Sequence, residues 1–85
     1  MPAEVTDVPI VLRSLMGHLE MIAKTDPDRP LTAYQAEGFN WLLSHARAKY
    51  SDRRLLEMAP LAPEGGHTVA GMLERLQAMS EVVLA

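Results

Sequence analysis

Three histidines are the side chains of this sequence best suited to bind a metal ion or to move a proton near neutral pH. They are His18, His45 and His67. A metal site needs about three converging ligands and often uses a His-x-x-x-His pair on one helix, which the chain lacks. With no cysteine, disulfides and thiolate sites are excluded. We therefore expect no metal and no other cofactor, and we predict that His45 lies beside an aromatic ring.

Candidate nucleophiles for covalent catalysis are the serines Ser14, Ser44, Ser51 and Ser80. None of them follows a strand in the sharp turn that presents a catalytic serine, and none has a base at a recognisable spacing. The carboxylates are scattered over positions that we predict to face solvent. The sequence therefore indicates a protein that is not an enzyme.

Positive charge is concentrated between residues 47 and 54, where Asp52 is the one anion among four cations: Arg47, Lys49, Arg53 and Arg54. Such a cluster can bind phosphate or an acidic partner, but cations are also favoured at the C-terminus of a helix by its dipole. The net charge of −3 gives no general attraction to nucleic acid. DNA binding is therefore the secondary hypothesis, because the helix predicted beside the cluster is short for a recognition helix.

The elements that carry these residues are separated by two segments rich in Pro, Asp and Gly, at residues 25–30 and 60–66. Apolar residues at helical spacing predict helices at about 8–24, 33–50, 52–59 and 68–84, and no segment alternates as a strand does. We expect one all-α domain over residues 1–85, a small helical bundle of three long helices plus one short helix, with residues 1–7 as a flexible N-terminus.

Capping residues and apolar stripes support the three long helices. Asp7 and Thr68 can cap the first and the last, and Thr32 with Gln35 forms a capping box for the second. The residues predicted to form the core are Val8, Val11, Leu12, Leu15, Met16, Leu19, Ile22 and Ala23, then Ala36, Phe39, Leu42, Leu43, Ala46 and Tyr50, and finally Val69, Met72, Leu73, Leu76, Met79 and Val83.

The first two long helices each carry a second row of apolar and small residues, spaced by three or four. The row on the first helix is Ile10, Ser14, Gly17 and Met21, with Arg13, Glu20 and Lys24 beside it. The row on the second helix is Tyr34, Gly38, Trp41, His45 and Ala48, with a predicted solvent side of Glu37, Asn40, Ser44 and Arg47. A glycine inside a helix lowers its stability by about 1 kcal/mol relative to alanine, so we expect Gly38 to have a packing or binding role.

Two interpretations of the second rows are open. The second helix could be the central one, packed on both sides within one chain. Alternatively, the rows could face a second chain, since Trp, Tyr and Met are enriched at protein interfaces. Apolar residues make up 48% of the chain, and self-association is one way to cover such an excess.

These patterns together favour a small non-enzymatic protein–protein interaction or assembly module, such as a regulator, an inhibitor or a subunit, acting as a homodimer. The alternative is a DNA-associated regulator that uses the basic cluster Arg47–Arg54. No apolar run approaches the roughly 20 residues of a membrane span, and the first residues lack a secretory pattern. We therefore expect a cytoplasmic protein without membrane partners.

Overall fold

Four helices form the protein in a computed structural model that describes residues 7–62 and 65–84. They are α1 (Val8–Ala23), α2 (Ala33–Lys49), α3 (Arg53–Glu57) and α4 (Val69–Val83). Within those ranges there is no strand, and the one β-bridge pairs Pro30 with Thr68. The predicted all-α bundle of three long helices and one short helix is therefore confirmed. Of the predicted flexible N-terminus, residues 1–6 lie outside the described residues.

Each helix begins at a side chain that accepts a hydrogen bond from the first turn. Asp7 accepts from the amide of Ile10 at 3.3 Å, and Thr68 accepts from that of Gly71 at 3.1 Å. At α2 the capping box is complete, because the Thr32 hydroxyl and the Gln35 side chain each bond to the other's backbone N–H. These bonds satisfy backbone amides of the first turn, which have no hydrogen-bond partner inside the helix. The predicted starts of the three long helices are confirmed.

The short helix α3 is shorter than the predicted 52–59. Its N-cap is Asp52, whose carboxylate accepts from the amide of Arg54 at 2.8 Å, and the chain becomes extended again at Met58. A helix of one to two turns has too few internal hydrogen bonds to persist alone. It is held instead by packing against α2 and α4, with Leu55 fully buried.

The core is built from the predicted apolar stripes. α1 packs most extensively against α4 and also against α2. No polar or charged side chain of the described residues is buried. The fully buried members of the stripes are Val8, Leu12, Leu19, Ala36, Phe39, Leu42, Leu43, Ala46, Val69, Met72, Leu76 and Met79. Other predicted members, among them Val11, Leu15 and Tyr50, are partly buried and pack against this cluster.

The segment that follows α3 is fixed by polar side chains of α2 and α4. The Asn40 amide donates to the carbonyl of Leu61 and accepts from its N–H, both at 2.7 Å. The Arg47 guanidinium donates to the carbonyls of Leu55, at 2.8 Å, and Met58. From α4, Arg75 donates to the carbonyl of Ala59. These side chains supply partners for carbonyls that the short helix leaves free.

Two residues of α2 therefore do not face solvent as predicted. Asn40 and Arg47 are half-buried, because α3 and the segment after it cover that side of α2. Glu37 and Ser44 are exposed, in agreement with the prediction. No helix among the described residues is both long and apolar enough to cross a bilayer.

Candidate functional site

The second rows of α1 and α2 lie on the surface of the folded chain. Ile10 and Met21 on α1 are 60% and 72% exposed, and Tyr34 and Trp41 on α2 are 84% and 44% exposed. Ser14 and Gly17 are exposed, whereas Gly38 and His45 are half-buried. The second row of α2 is therefore not packed into the core of the chain, because α1 and α3 leave the side that carries Tyr34 and Trp41 open.

Neither glycine of these rows is required by packing inside the chain. A Cβ atom added to Gly17 or to Gly38 would meet no other atom within 4 Å, apart from the helix's own backbone and chain neighbours. Both lie within helices, where no positive φ is needed. A helical glycine is less stable than alanine by about 1 kcal/mol, so the folded chain alone offers no compensating gain for either residue.

An open groove of about 360 Å³ lies between α1 and α2. Its α1 wall is formed by Leu15 and His18, and its α2 wall by Tyr34, Gln35, Glu37, Gly38 and Trp41. The lining is mainly apolar, with Glu37 as its one carboxylate. The groove therefore borders the second row of α2, whereas the four residues of the α1 row are not among those that line it.

Several groove residues are not singled out by the sequence patterns. Leu15 is predicted to lie in the core, and His18, Gln35 and Glu37 are not predicted to lie at an interface. Helical periodicity shows which residues share a face of one helix, but it does not show which sides of two helices border a common groove. The sequence offers one signal for these four residues, because each is the immediate sequence neighbour of a member of a second row.

The His45 ring lies against the indole of Trp41, with ring centroids 4.2 Å apart and a tilt of 36°. Its Nδ1 is 2.9 Å from the carbonyl oxygen of Trp41. Because a carbonyl oxygen can only accept, this hydrogen bond requires a proton on Nδ1. The predicted aromatic neighbour of His45 is confirmed, and the contact restrains the orientation of both rings at the surface.

The basic cluster is divided by the fold. Arg47 points toward the segment after α3, Arg53 forms an ion pair with Glu57 at 3.1 Å, and Arg54 contacts Asp52 at 3.2 Å and Glu81 at 3.5 Å. Lys49 is exposed near the end of α2. The four predicted residues therefore do not present four free cations to a phosphate backbone.

The pair formed by Asp52 and Arg54 belongs to the start of α3. The side-chain hydrogen bond from Arg54, together with that from its backbone amide, holds the pKa of Asp52 below its usual value. In turn, the side-chain hydrogen bond to Asp52 raises the pKa of Arg54. Each charge favours the ionised form of the other, so both remain charged at neutral pH. Their interaction stabilises the helix start.

The three histidines are separated in the structure: His18 borders the groove, His45 stacks on Trp41, and His67 precedes the cap of α4. In the part of the chain that the structure describes, no three His, Asp or Glu side chains converge on a point where a metal ion could bind.

No protein-family model matches this chain, and neither a curated protein nor a solved structure matches it significantly. The surface that α1 and α2 form together is therefore the main guide to what the protein does.

Proposed function

We propose that the chain is a small non-enzymatic interaction module that acts by self-association. The contact surface is the α1–α2 face, formed by the second rows of the two helices: Ile10, Ser14, Gly17, Met21, Tyr34, Gly38, Trp41 and His45. A regulator or an assembly subunit would use such a face to pair with a second copy and so create a larger binding unit.

One observation carries this proposal. Among the described residues five large apolar side chains are exposed, and all except Leu56 lie on the α1–α2 face. Single exposed apolar residues are ordinary on a protein surface, whereas several of them on two adjacent helices favour an interaction site. Two of the four are Trp and Tyr, which commonly dominate the binding energy of interfaces.

The shape of the face suits another helix as its occupant. Small residues lie between large ones in each row, and Gly17 and Gly38 leave room for a second backbone to approach closely. A two-fold dimer brings the same patch of both copies together, so one such face is sufficient for a closed assembly.

Self-association is not needed for folding. The accessible surface is 5117 Å², and a folded monomer of this mass exposes about 5000 Å². A standard interface covers about 800 Å² on each partner, roughly a sixth of this surface. We therefore expect folded monomers in reversible equilibrium with dimers.

No observation favours DNA binding as a second function. Three of the four cations in the basic cluster are engaged by groups of the chain itself. Arg53 and Arg54 remain 88% and 55% exposed, but the carboxylates that pair with them offset the charge that a phosphate backbone would attract.

Sedimentation velocity over a range of concentrations tests the proposal. We expect the wild-type chain to shift from monomer to dimer as its concentration rises into the high micromolar range. Gly17→Glu and Trp41→Ala should both move the equilibrium toward monomer, the first by placing a charge at the closest approach and the second by removing an anchor.

Matched controls separate the face from the general effects of charge and size. Gln77→Glu adds the same charge on the exposed side of α4, and Leu56→Ala removes an exposed apolar side chain from α3. Both controls should dimerise as the wild type does. A wild-type chain that stays monomeric at high micromolar concentration, or controls that weaken the dimer as much as the face variants do, would overturn the proposal.

A further inference from the structure

We infer that the groove between α1 and α2 binds a small organic ammonium compound with an apolar body. The ammonium group lies beside the carboxylate of Glu37 and the indole of Trp41, and the apolar body lies against Leu15. This binding does not require the proposed self-association. The groove shares Tyr34, Gly38 and Trp41 with the α1–α2 face, so a bound ligand and a second copy compete for these residues.

The groove has the dimensions of a site for a small molecule. Its volume of about 360 Å³ lies within the range of roughly 300–1,000 Å³ that such sites occupy. Its lining is mainly apolar. The space over Gly38 is open, because an added Cβ atom would meet no other atom within 4 Å apart from the helix's own backbone and chain neighbours. The groove therefore has room for a ring-sized apolar group.

The charge of the groove favours a cation. Glu37 is exposed, no Lys or Arg lines the groove, and no cation of the described residues lies within 4.0 Å of this carboxylate. Arg13 precedes Leu15 by two residues and Glu20 follows His18 by two, so both project from another side of α1. The lining thus presents one carboxylate, which attracts a cation and repels an anion.

Two aromatic residues flank this carboxylate along α2. Tyr34 lies three residues before Glu37 and Trp41 lies four residues after it, which is about one helical turn in each direction. The face of an aromatic ring attracts an ammonium group, and tryptophan does so most strongly. An ammonium group in the groove therefore gains attraction from the carboxylate and from a ring, whereas a neutral group of the same shape gains neither.

The indole is restrained before any ligand binds. The His45 ring stacks on it with centroids 4.2 Å apart, and Nδ1 of His45 donates to the carbonyl oxygen of Trp41 at 2.9 Å. His45 is not among the residues that line the groove, so it restrains the indole without filling the site. A side chain that is already ordered loses less conformational entropy when a ligand binds.

The experiment uses three probes that share a phenyl ring and differ in charge: phenethylammonium, phenethyl alcohol and phenylacetate. Trp41 is the single tryptophan of the chain, so its fluorescence reports occupancy of the groove, and amide shifts in NMR spectra locate the probe. Titrations use a protein concentration at which sedimentation shows monomer. Phenethylammonium should bind about fivefold more tightly than the alcohol, and phenylacetate more weakly than either.

Variants test the two parts of the site separately. Glu37→Gln should remove most of the preference for the ammonium probe, and Glu74→Gln on the exposed side of α4 should keep it. Gly38→Leu places a side chain in the groove and should weaken the binding of all three probes. Gly17→Leu should not, because this helical glycine does not line the groove.

Three outcomes would each overturn the inference: equal binding of the ammonium and the alcohol to the wild type, a preference that survives Glu37→Gln, or no saturable binding of any probe. Because every titration is made on the monomer, these outcomes are independent of whether the chain dimerises at higher concentration. A chain that binds phenethylammonium but never dimerises would overturn the proposed self-association and support the ligand site.

Discussion

Two glycines on the α1–α2 face lower the stability of their helices and have no packing role within one chain. Gly17 and Gly38 lie in helices where alanine would fit without touching any neighbour. Each thus lowers the stability of the monomer with no packing benefit inside it. Their absence of a side chain matters only where a second helix approaches closely, which is the role that we propose for them.

Gly38→Ala should therefore have opposite effects on the two equilibria. We expect it to stabilise the monomer by about 0.5–1 kcal/mol, because alanine restricts the unfolded chain and favours the helix. It should also weaken the dimer by filling the groove floor. Urea unfolding at low protein concentration measures the first effect, and sedimentation measures the second.

Gly71→Ala provides the comparison for this prediction. Gly71 lies on α4, away from the α1–α2 face, and its added Cβ would sit 3.4 Å from the Thr68 hydroxyl, at the edge of ordinary contact. It should change helix stability without changing dimerisation. A Gly38→Ala chain that dimerises as tightly as the wild type would contradict a close helix approach at this position.

At the scale of elements, α3 and the segment after it depend on side chains from the long helices. Asn40, Arg47 and Arg75 together bind backbone groups of Leu55, Met58, Ala59 and Leu61. The segment has little regular structure of its own, so these side-chain hydrogen bonds replace the backbone hydrogen bonds that a longer helix would provide. They also cover the side of α2 opposite the groove, which leaves the α1–α2 face as the open side.

Asn40→Ala should release part of this segment. It removes the partners of both backbone groups of Leu61 in a half-buried setting, and we expect a loss of about 1–3 kcal/mol in the free energy of unfolding. Denaturant unfolding measures the loss, and hydrogen exchange should show faster exchange at the Leu61 amide. Ser44→Ala, an exposed change on the same helix, should have little effect. Equal stability of the two variants would show that the Asn40 bonds contribute nothing.

At the scale of the whole molecule, we expect folding to be independent of the proposed association. The chain has a core of ordinary extent for its size, and its surface area is that of a monomer. Its net charge of −3 is small, so the general charge repulsion between two copies is weak.

The melting temperature should consequently rise with protein concentration. A dimer that forms only from folded chains adds stability by mass action, and this contribution grows with the concentration of the partner. Calorimetry at low and high micromolar concentration should show the rise for the wild type. Gly17→Glu should melt at one temperature throughout. A wild-type melting temperature independent of concentration would argue against association in this range.

Local patterns in the sequence determined the helices, their starts and most of the core. Thr32 with Gln35, and Thr68 alone, act as caps through contacts that span three residues, so nearby sequence is sufficient to predict them. The stripe from Val69 to Val83 is buried because one face of α4 is apolar along its whole length. Periodicity also identified the second rows as faces.

Only the tertiary structure decided where those faces go. It left Tyr34 and Trp41 open while turning Asn40 and Arg47 toward the segment after α3, and it brought Leu15 and His18 to the edge of a groove. The sequence could not settle these points, because a helix with two apolar faces can dock through either. The choice depends on contacts between residues far apart in the chain, which helical periodicity does not encode.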